Sequence, residues 1–223
     1  MFGLDHRIAG LSSGTTLLVV VAVSILLGLR HATDPDHLTA VTAMIASGRD
    51  RATHHAARLG LTWGLGHATS LFVFGLPVVL YSAYLPRSLQ DAAETAVGVV
   101  IVLLAVGLLR RSRGGPLHAH ARGRKPWQAF AIGLVHGMGG TAGVGLLLLA
   151  TIQSRPLAVL ALALFATCTA ISMTILSAGF GAAMRAESVR SSFHRVAPVF
   201  GVASLAFGVW YALGAQGVVP YML

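Results

Sequence analysis

Long apolar runs alternate with short polar or basic stretches along the whole chain. The runs are close to or longer than the ~20 apolar residues with which a helix crosses the hydrocarbon core of a bilayer. The pattern predicts an all-α integral membrane protein with about six transmembrane helices, over residues 14–47, 59–84, 92–110, 127–152, 156–184 and 196–215. The separators are too short to fold by themselves, so we expect residues 1–223 to form a single transmembrane domain.

The first apolar region is too long for one straight span. A helix over residues 14–47 would exceed the ~30 Å hydrocarbon core by about half. Pro35 lies just past its middle, and proline removes a backbone donor and clashes with the preceding turn. We therefore expect a helix that is kinked or broken near Pro35. Transporters place ion sites at such breaks, because irregular backbone at membrane depth is tolerated only around a protein-lined cavity.

Composition supports a membrane protein. The 223 residues are 55% hydrophobic and only 10% charged, against about 25% charged residues in a soluble domain. The net charge of +9 would suggest nucleic acid in a soluble protein. Here the basic residues lie in short loops, where the positive-inside rule accounts for them. The expected partner is the lipid bilayer, and nucleic acid is not expected.

The loop charges predict an orientation. Basic residues concentrate in the first, third and fifth separators, whereas the second and fourth contain only Arg87 and Arg155. The odd loops are therefore predicted to be cytoplasmic. With six spans, both termini of this multi-pass protein of the inner (plasma) membrane would face the outside.

The scarcity of cysteine and lysine argues against several kinds of chemistry. Cys168 is the only cysteine, which argues against a thiol-redox carrier and a thiolate-rich metal site. Lys125 is the only lysine, and no phosphate-binding Gly-Lys-Ser/Thr sequence surrounds it. We expect neither enzymatic activity nor a cofactor, and no nucleotide-binding domain in this chain.

The segment Arg30–His37 places polar side chains where the apolar run predicts lipid. It contains four ionisable side chains that bind metals, namely His31, Asp34, Asp36 and His37. Carboxylates at membrane depth cost several kcal/mol each unless they are paired or bind a cation. Mixed imidazole and carboxylate ligation suits nickel(II) or cobalt(II), whereas oxygen ligands alone suit magnesium or calcium. We predict a divalent-metal site; the alternative is a structural pairing of Asp34 or Asp36 with Arg30.

The sequence Gly-Leu-x-His occurs three times, at Gly28–His31, Gly64–His67 and Gly133–His136. These copies fall in the first, second and fourth predicted spans, and the first and fourth would run in opposite directions. That arrangement favours a 3+3 inverted repeat around a central site. The alternative is chance recurrence in a chain rich in glycine and leucine.

The other two copies supply further candidates. We predict His67 as a metal ligand, with Ser70 one turn away on the same helix face. His136 opens the glycine-rich stretch 136–143, which predicts tight packing or a second helix break. His136, Thr141 and Ser70 are candidates for a pathway or for a site in the second half.

The basic third loop contains His118 and His120. A short histidine pair could collect metal at the cytoplasmic face. The alternative is that this is an ordinary solvated loop.

These motifs resemble the nickel/cobalt transporter family. Segment 30–37 is similar to its His-x4-Asp-His signature, Gly64–Ser70 to its Leu-Gly-His-Ser/Thr motif, and Gly133–Gly143 to a glycine-rich motif of a later helix. The short chain is most similar to the branch related to urease accessory membrane proteins. The resemblance implies a metal site formed or gated by the ligands of segment 30–37, with His67 contributing. Two departures are Pro35, in place of a small residue, and a later motif without an acidic residue.

The predicted function is uptake of Ni²⁺ or Co²⁺, the ion being the transported ligand. A dication entering at 100 mV, negative inside, gains roughly 4.6 kcal/mol. Histidine protonation would compete with metal, so binding should fall in acid. The alternatives are an efflux carrier with the same site and a non-transport membrane subunit in metalloenzyme maturation. A small-anion exporter would need arginines in its spans, and only Arg30 qualifies.

Overall fold

The computed structural model describes residues 2–45, 52–81, 86–113, 125–139, 146 and 149–220. Within these ranges the regular structure is helical and no strand is present, which confirms the all-α prediction. The helices with described bounds are α1 (Phe2–His31), α2 (Pro35–Ile45), α3 (Ala52–Tyr81), α4 (Arg87–Arg113), α5 (Pro126–His136), α6 (Arg155–Ala183) and α7 (Glu187–Ala215).

The helices confirm a multi-pass membrane protein. In the described residues, four segments are long and apolar enough to cross a membrane: Thr53–Tyr81, Arg87–Arg110, Arg155–Ala183 and Arg195–Ala215. The bent pair Leu17–His31 and Pro35–Ile45 supplies a fifth crossing if it is one broken span. The number six stays a prediction, as does the 3+3 repeat.

The predicted break near Pro35 is confirmed. The axes of α1 and α2 differ by 49°, and a turn closed by the Thr33 amide on the Arg30 carbonyl oxygen separates the helices. Pro35 is the first residue of α2, where its missing N–H leaves no helical hydrogen bond unmade. The first α2 bond runs from the Leu38 amide to the Asp34 carbonyl oxygen.

The prediction of a single helix over residues 127–152 is wrong. Helix α5 ends at His136 and the chain turns at residues 137–139, as the alternative of a second break in the glycine-rich stretch predicted. The eleven residues of α5 rise about 16 Å, which is half the hydrocarbon core. Residues 140–145 lie outside the described part of the chain.

Four helices begin at least five residues before the spans that the apolar pattern predicted, and α1 starts at Phe2 and α4 at Arg87. Helix α3 starts at Ala52 and α7 at Glu187, within the separators 48–58 and 185–195. Neither the stretch 52–58 nor the stretch 187–195 contains glycine or proline. The helices therefore continue beyond their apolar parts, because hydropathy marks the membrane boundary and not the end of a helix.

Helix α3 lies at the centre of one packed group. It contacts α5 on one side and α6 on another, and α6 also packs against α1. Helices α4 and α7 pack against each other, and α2 and α5 contact α4 to join the groups. Helix α5 thus packs directly against α3, and α1 and α2 reach α3 in the interior through the side chains of His31 and His37.

Candidate metal centre

Six ionisable side chains from four helices and one turn meet in the interior. All are at most 6% exposed: His31, Asp34, Asp36, His37, His67 and His136. We call this group the histidine–aspartate cluster. It brings together each of the five predicted metal ligands and adds His136, which the sequence offered as a candidate for a pathway or for a site in the second half.

The recurring Gly-Leu-x-His sequence has a structural explanation. A Cβ atom on Gly28 would lie 2.6 Å from the carbonyl oxygen of Phe165, and one on Gly133 would overlap the carbonyl oxygen of Trp63. Gly64 meets the backbone of α6 in the same way. Residues three apart share a helix face. Each glycine therefore lets two helices touch, and the histidine one turn later points into the interior.

Three histidines form the first part of the cluster. The Nε2 atoms of His31 and His67 are 3.1 Å apart. Two neighbouring ligands at about 2.1 Å from one ion, at an angle of about 90–110°, would be separated by about 3.0–3.4 Å. The ring of His37 lies 4.6 Å from that of His31 and 4.9 Å from that of His67, centroid to centroid. One ligand atom from each of the three residues lies within 4.8 Å of the others.

The two aspartates face histidine rings. Asp34 Oδ2 is 3.0 Å from Nδ1 of His31, and Asp36 Oδ1 is 3.1 Å from Nδ1 of His37. When Nδ1–H donates to a carboxylate, Nε2 carries the lone pair that binds metal. The carboxylates thus select the tautomer in which Nε2 of His31 and His37 is available.

Asp36 also reaches the second break. Its Oδ2 atom lies 3.1 Å from Nε2 of His136, the last residue of α5. The rings of His37 and His136 are 4.7 Å apart, and ligand atoms of Asp36, His37 and His136 lie within 4.8 Å of one another. The cluster therefore contains two sets of three ligands that share His37.

Three nitrogen atoms of the cluster are unsatisfied. Among the described residues, Nε2 of His37, Nδ1 of His67 and Nδ1 of His136 are buried and have no hydrogen-bond partner. A buried polar atom without a partner costs about 1–3 kcal/mol. A cation coordinated by Nε2 of His37 would remove that cost for this atom.

Aromatic rings wall the cluster. The ring of Trp63 lies 5.6 Å from that of His37 and 5.8 Å from that of His136, and the ring of Phe165 lies 5.5 Å from that of His31. Sequence reasoning missed both residues. Trp63 stands one turn before His67, and that spacing could have indicated it; Phe165 carries no signal.

Other predicted residues lie elsewhere. Ser70 donates to the carbonyl oxygen of Leu134 at 2.6 Å and so ties α3 to α5. Arg30 is exposed, while the carboxylates of Asp34 and Asp36 face histidines. This geometry does not favour the structural pairing with Arg30. Three candidates lie outside the described residues: His118, His120 and Thr141.

Comparison with known proteins supports the resemblance found in the motifs. A family model described as high-affinity nickel-transport protein matches residues 17–111. The urease accessory protein UreH of Bacillus sp. (strain TB-90) is 24% identical over 212 residues, covering 87% of this chain and 91% of that protein. No solved structure gives a significant match. Both matches agree with the resemblance in the motifs and with the expectation of a transport or accessory protein, and the chain is a multi-pass membrane protein that is similar to the high-affinity nickel-transport family over residues 17–111.

Proposed function

We propose that this protein carries Ni²⁺ or Co²⁺ inward across the inner membrane through the histidine–aspartate cluster. The observation that carries the proposal is the first set of ligands, in which three buried imidazoles converge and two carboxylates face the rings of two of them. Buried ionisable groups at membrane depth are costly and mark ion pathways. A bound dication gives these groups a function and compensates their burial.

The donor set favours late transition metals. Nε2 atoms of His31, His37 and His67 would be the ligands, with Asp34 and Asp36 holding the rings behind them. In this assignment the two carboxylates do not bind the ion in this set directly, whereas the sequence predicted them as ligands. They hold the rings of His31 and His37. Imidazole nitrogens suit nickel and cobalt, whereas magnesium and calcium prefer oxygen.

Inward transport follows from the membrane potential. Each elementary charge that crosses 100 mV gains about 2.3 kcal/mol, so a dication gains roughly twice that amount. This energy is sufficient for about a thousandfold accumulation, at 1.4 kcal/mol for each factor of ten. We also propose that both termini face the outside, as the loop charges predict.

A second candidate function is favoured by the similarity to a urease accessory protein. In that case the chain would be a membrane subunit that supplies metal to enzyme maturation, and it would require other proteins. The cluster would still bind the ion, so metal binding does not separate the two functions.

The test is nickel uptake by liposomes that contain only the purified protein, with the interior negative. We expect wild type to accumulate nickel and Asp36→Asn to lose at least about tenfold in rate, a loss typical of removing a carboxylate that hydrogen-bonds a metal-binding histidine. The matched control is Asp91→Asn, since Asp91 is an exposed carboxylate at the start of α4. Uptake by Asp36→Asn at the wild-type rate would refute the site. Failure of wild type alone to move nickel would favour the maturation subunit.

A further inference from the structure

The two ligand sets described above suggest how an ion moves through the cluster. We infer that the cation occupies two overlapping positions that share His37, and passes between them by exchanging the other two ligands. Position one is formed by His31, His37 and His67, and position two by Asp36, His37 and His136. The inference rests on the proposed transport function.

The shape of the cluster separates the positions. Rings within a set, and those adjacent to His37, have centroids 4.6–5.1 Å apart. The rings of His67 and His136, which belong to different sets, are 6.4 Å apart. His37 is therefore the middle of an elongated group, and it offers a ligand atom to both sets.

Asp36 gives the two positions different charge. In position one the ligands are neutral imidazoles, and Asp36 acts from behind through Nδ1 of His37. In position two the same carboxylate is itself a ligand beside His136. When the ion moves from position one to position two, Asp36 changes from a group that holds His37 into a direct ligand. Its negative charge therefore stays next to the dication throughout.

Each position also has its own helix end. His31 is the last residue of α1 and His136 the last residue of α5. The C-terminus of a helix carries a partial negative charge equivalent to roughly half an electron, which favours a nearby cation. Two broken helices that end at different histidines thus provide two separate cation-stabilising termini.

The test separates binding from transport in the full-length purified protein. The variants are His67→Ala, which damages position one, and His136→Ala, which damages position two; His54→Ala replaces an exposed histidine of α3 and is the control. Nickel binding is measured by calorimetry, the ligand type by X-ray absorption, and uptake in liposomes.

We expect each cluster variant to bind one nickel ion with an affinity lowered by less than about tenfold, because the other position remains. Bound nickel should have only imidazole protein ligands in His136→Ala and a carboxylate in His67→Ala. Uptake should fall at least about tenfold in both, because the exchange partner is missing. If His136→Ala does not fold, His136→Gln replaces it.

Two results would overturn the inference and leave the proposed function intact. One is uptake by folded His136→Ala at the wild-type rate. The other is complete loss of binding in both cluster variants, which would indicate one joint site. The proposed function itself fails if wild type neither binds nor transports nickel.

Discussion

Two helix contacts in this protein use the same packing device and bury different chemistry. In the α3–α5 contact, Gly66 meets the backbone of Phe130 and Gly133 that of Trp63, and Gly133 is followed three residues later by His136 of the cluster. In the α4–α7 contact, Gly98 and Gly208 face each other, and a Cβ on Gly98 would lie 2.8 Å from the Gly208 carbonyl oxygen. The residues three positions after these glycines are Ile101 and Tyr211, both 0% exposed.

The comparison shows that the glycines form a packing frame, by which we mean a pair of closely packed helices. The glycines do not determine which chemistry that frame encloses. Close helix approach is a general property of membrane helices with small residues. Around Ile101 and Tyr211 the frame encloses an apolar cluster with Val97. Around His67 and His136 the same frame encloses nitrogen and oxygen ligands. The side chain one turn after the glycine decides whether the interior is an apolar core or a cluster of ionisable groups.

The largest expected effect in this comparison concerns a carboxylate of the histidine region. Asp36→Asn keeps the shape of the side chain and removes the charge that faces Nδ1 of His37 and Nε2 of His136, so both ligand sets are affected. Loss of an outer-shell partner typically weakens metal affinity by about 10–100-fold. Calorimetry with nickel should show this loss, with Asp91→Asn unchanged. Equal affinity in wild type and Asp36→Asn would show that this carboxylate does not support metal binding.

The frame can be broken without touching a ligand. Gly133→Ala would place a Cβ atom on the carbonyl oxygen of Trp63, whereas a Cβ on Gly107 meets no atom within 4 Å. Helix α5 must then move away from α3 and take His136 with it. Nickel uptake in liposomes should fall about tenfold in Gly133→Ala, since small displacements of a positioned group are costly. A Gly107→Ala control with the same loss would show a non-specific cause.

A substitution in the apolar α4–α7 contact should lower the stability of the protein and leave its affinity for nickel unchanged. Ile101→Ala removes a fully buried side chain, which costs about 2–5 kcal/mol in well-packed cores. The thermal unfolding temperature of the purified protein should fall, while the nickel dissociation constant of the folded protein stays within about twofold, a difference below 1 kcal/mol. A large change in affinity would mean that the two regions are coupled.

The smallest effect is spectroscopic. Trp63 lies beside the cluster, 5.6 Å from the ring of His37, whereas Trp210 packs against Phe207 of α7. Nickel or cobalt should quench tryptophan fluorescence in wild type and in Trp210→Phe, and should quench Trp63→Phe much less. Equal quenching in the two variants would place the ion away from Trp63.

The sequence predicted those features that depend on local chemistry. Pro35 marked the break because proline cannot continue a helix, and the ligands of segment 30–37 stood out because lipid disfavours them. The roles of the two carboxylates depend on which ring each one faces. The contact of Asp36 with His136 joins residues 100 positions apart, and no local pattern encodes such a distance. The early starts of α1, α3, α4 and α7 were missed because hydropathy does not report helical residues outside the apolar segments.

The most direct test of the histidine–aspartate cluster is equilibrium nickel binding by purified wild type and His37→Ala. His37 belongs to both ligand sets, so its loss disables both. Wild type should bind one ion per chain, and folded His37→Ala should lose more than about 100-fold in affinity, because losing a direct ligand costs more than losing an outer-shell partner. Binding by folded His37→Ala with the affinity of wild type would contradict the account.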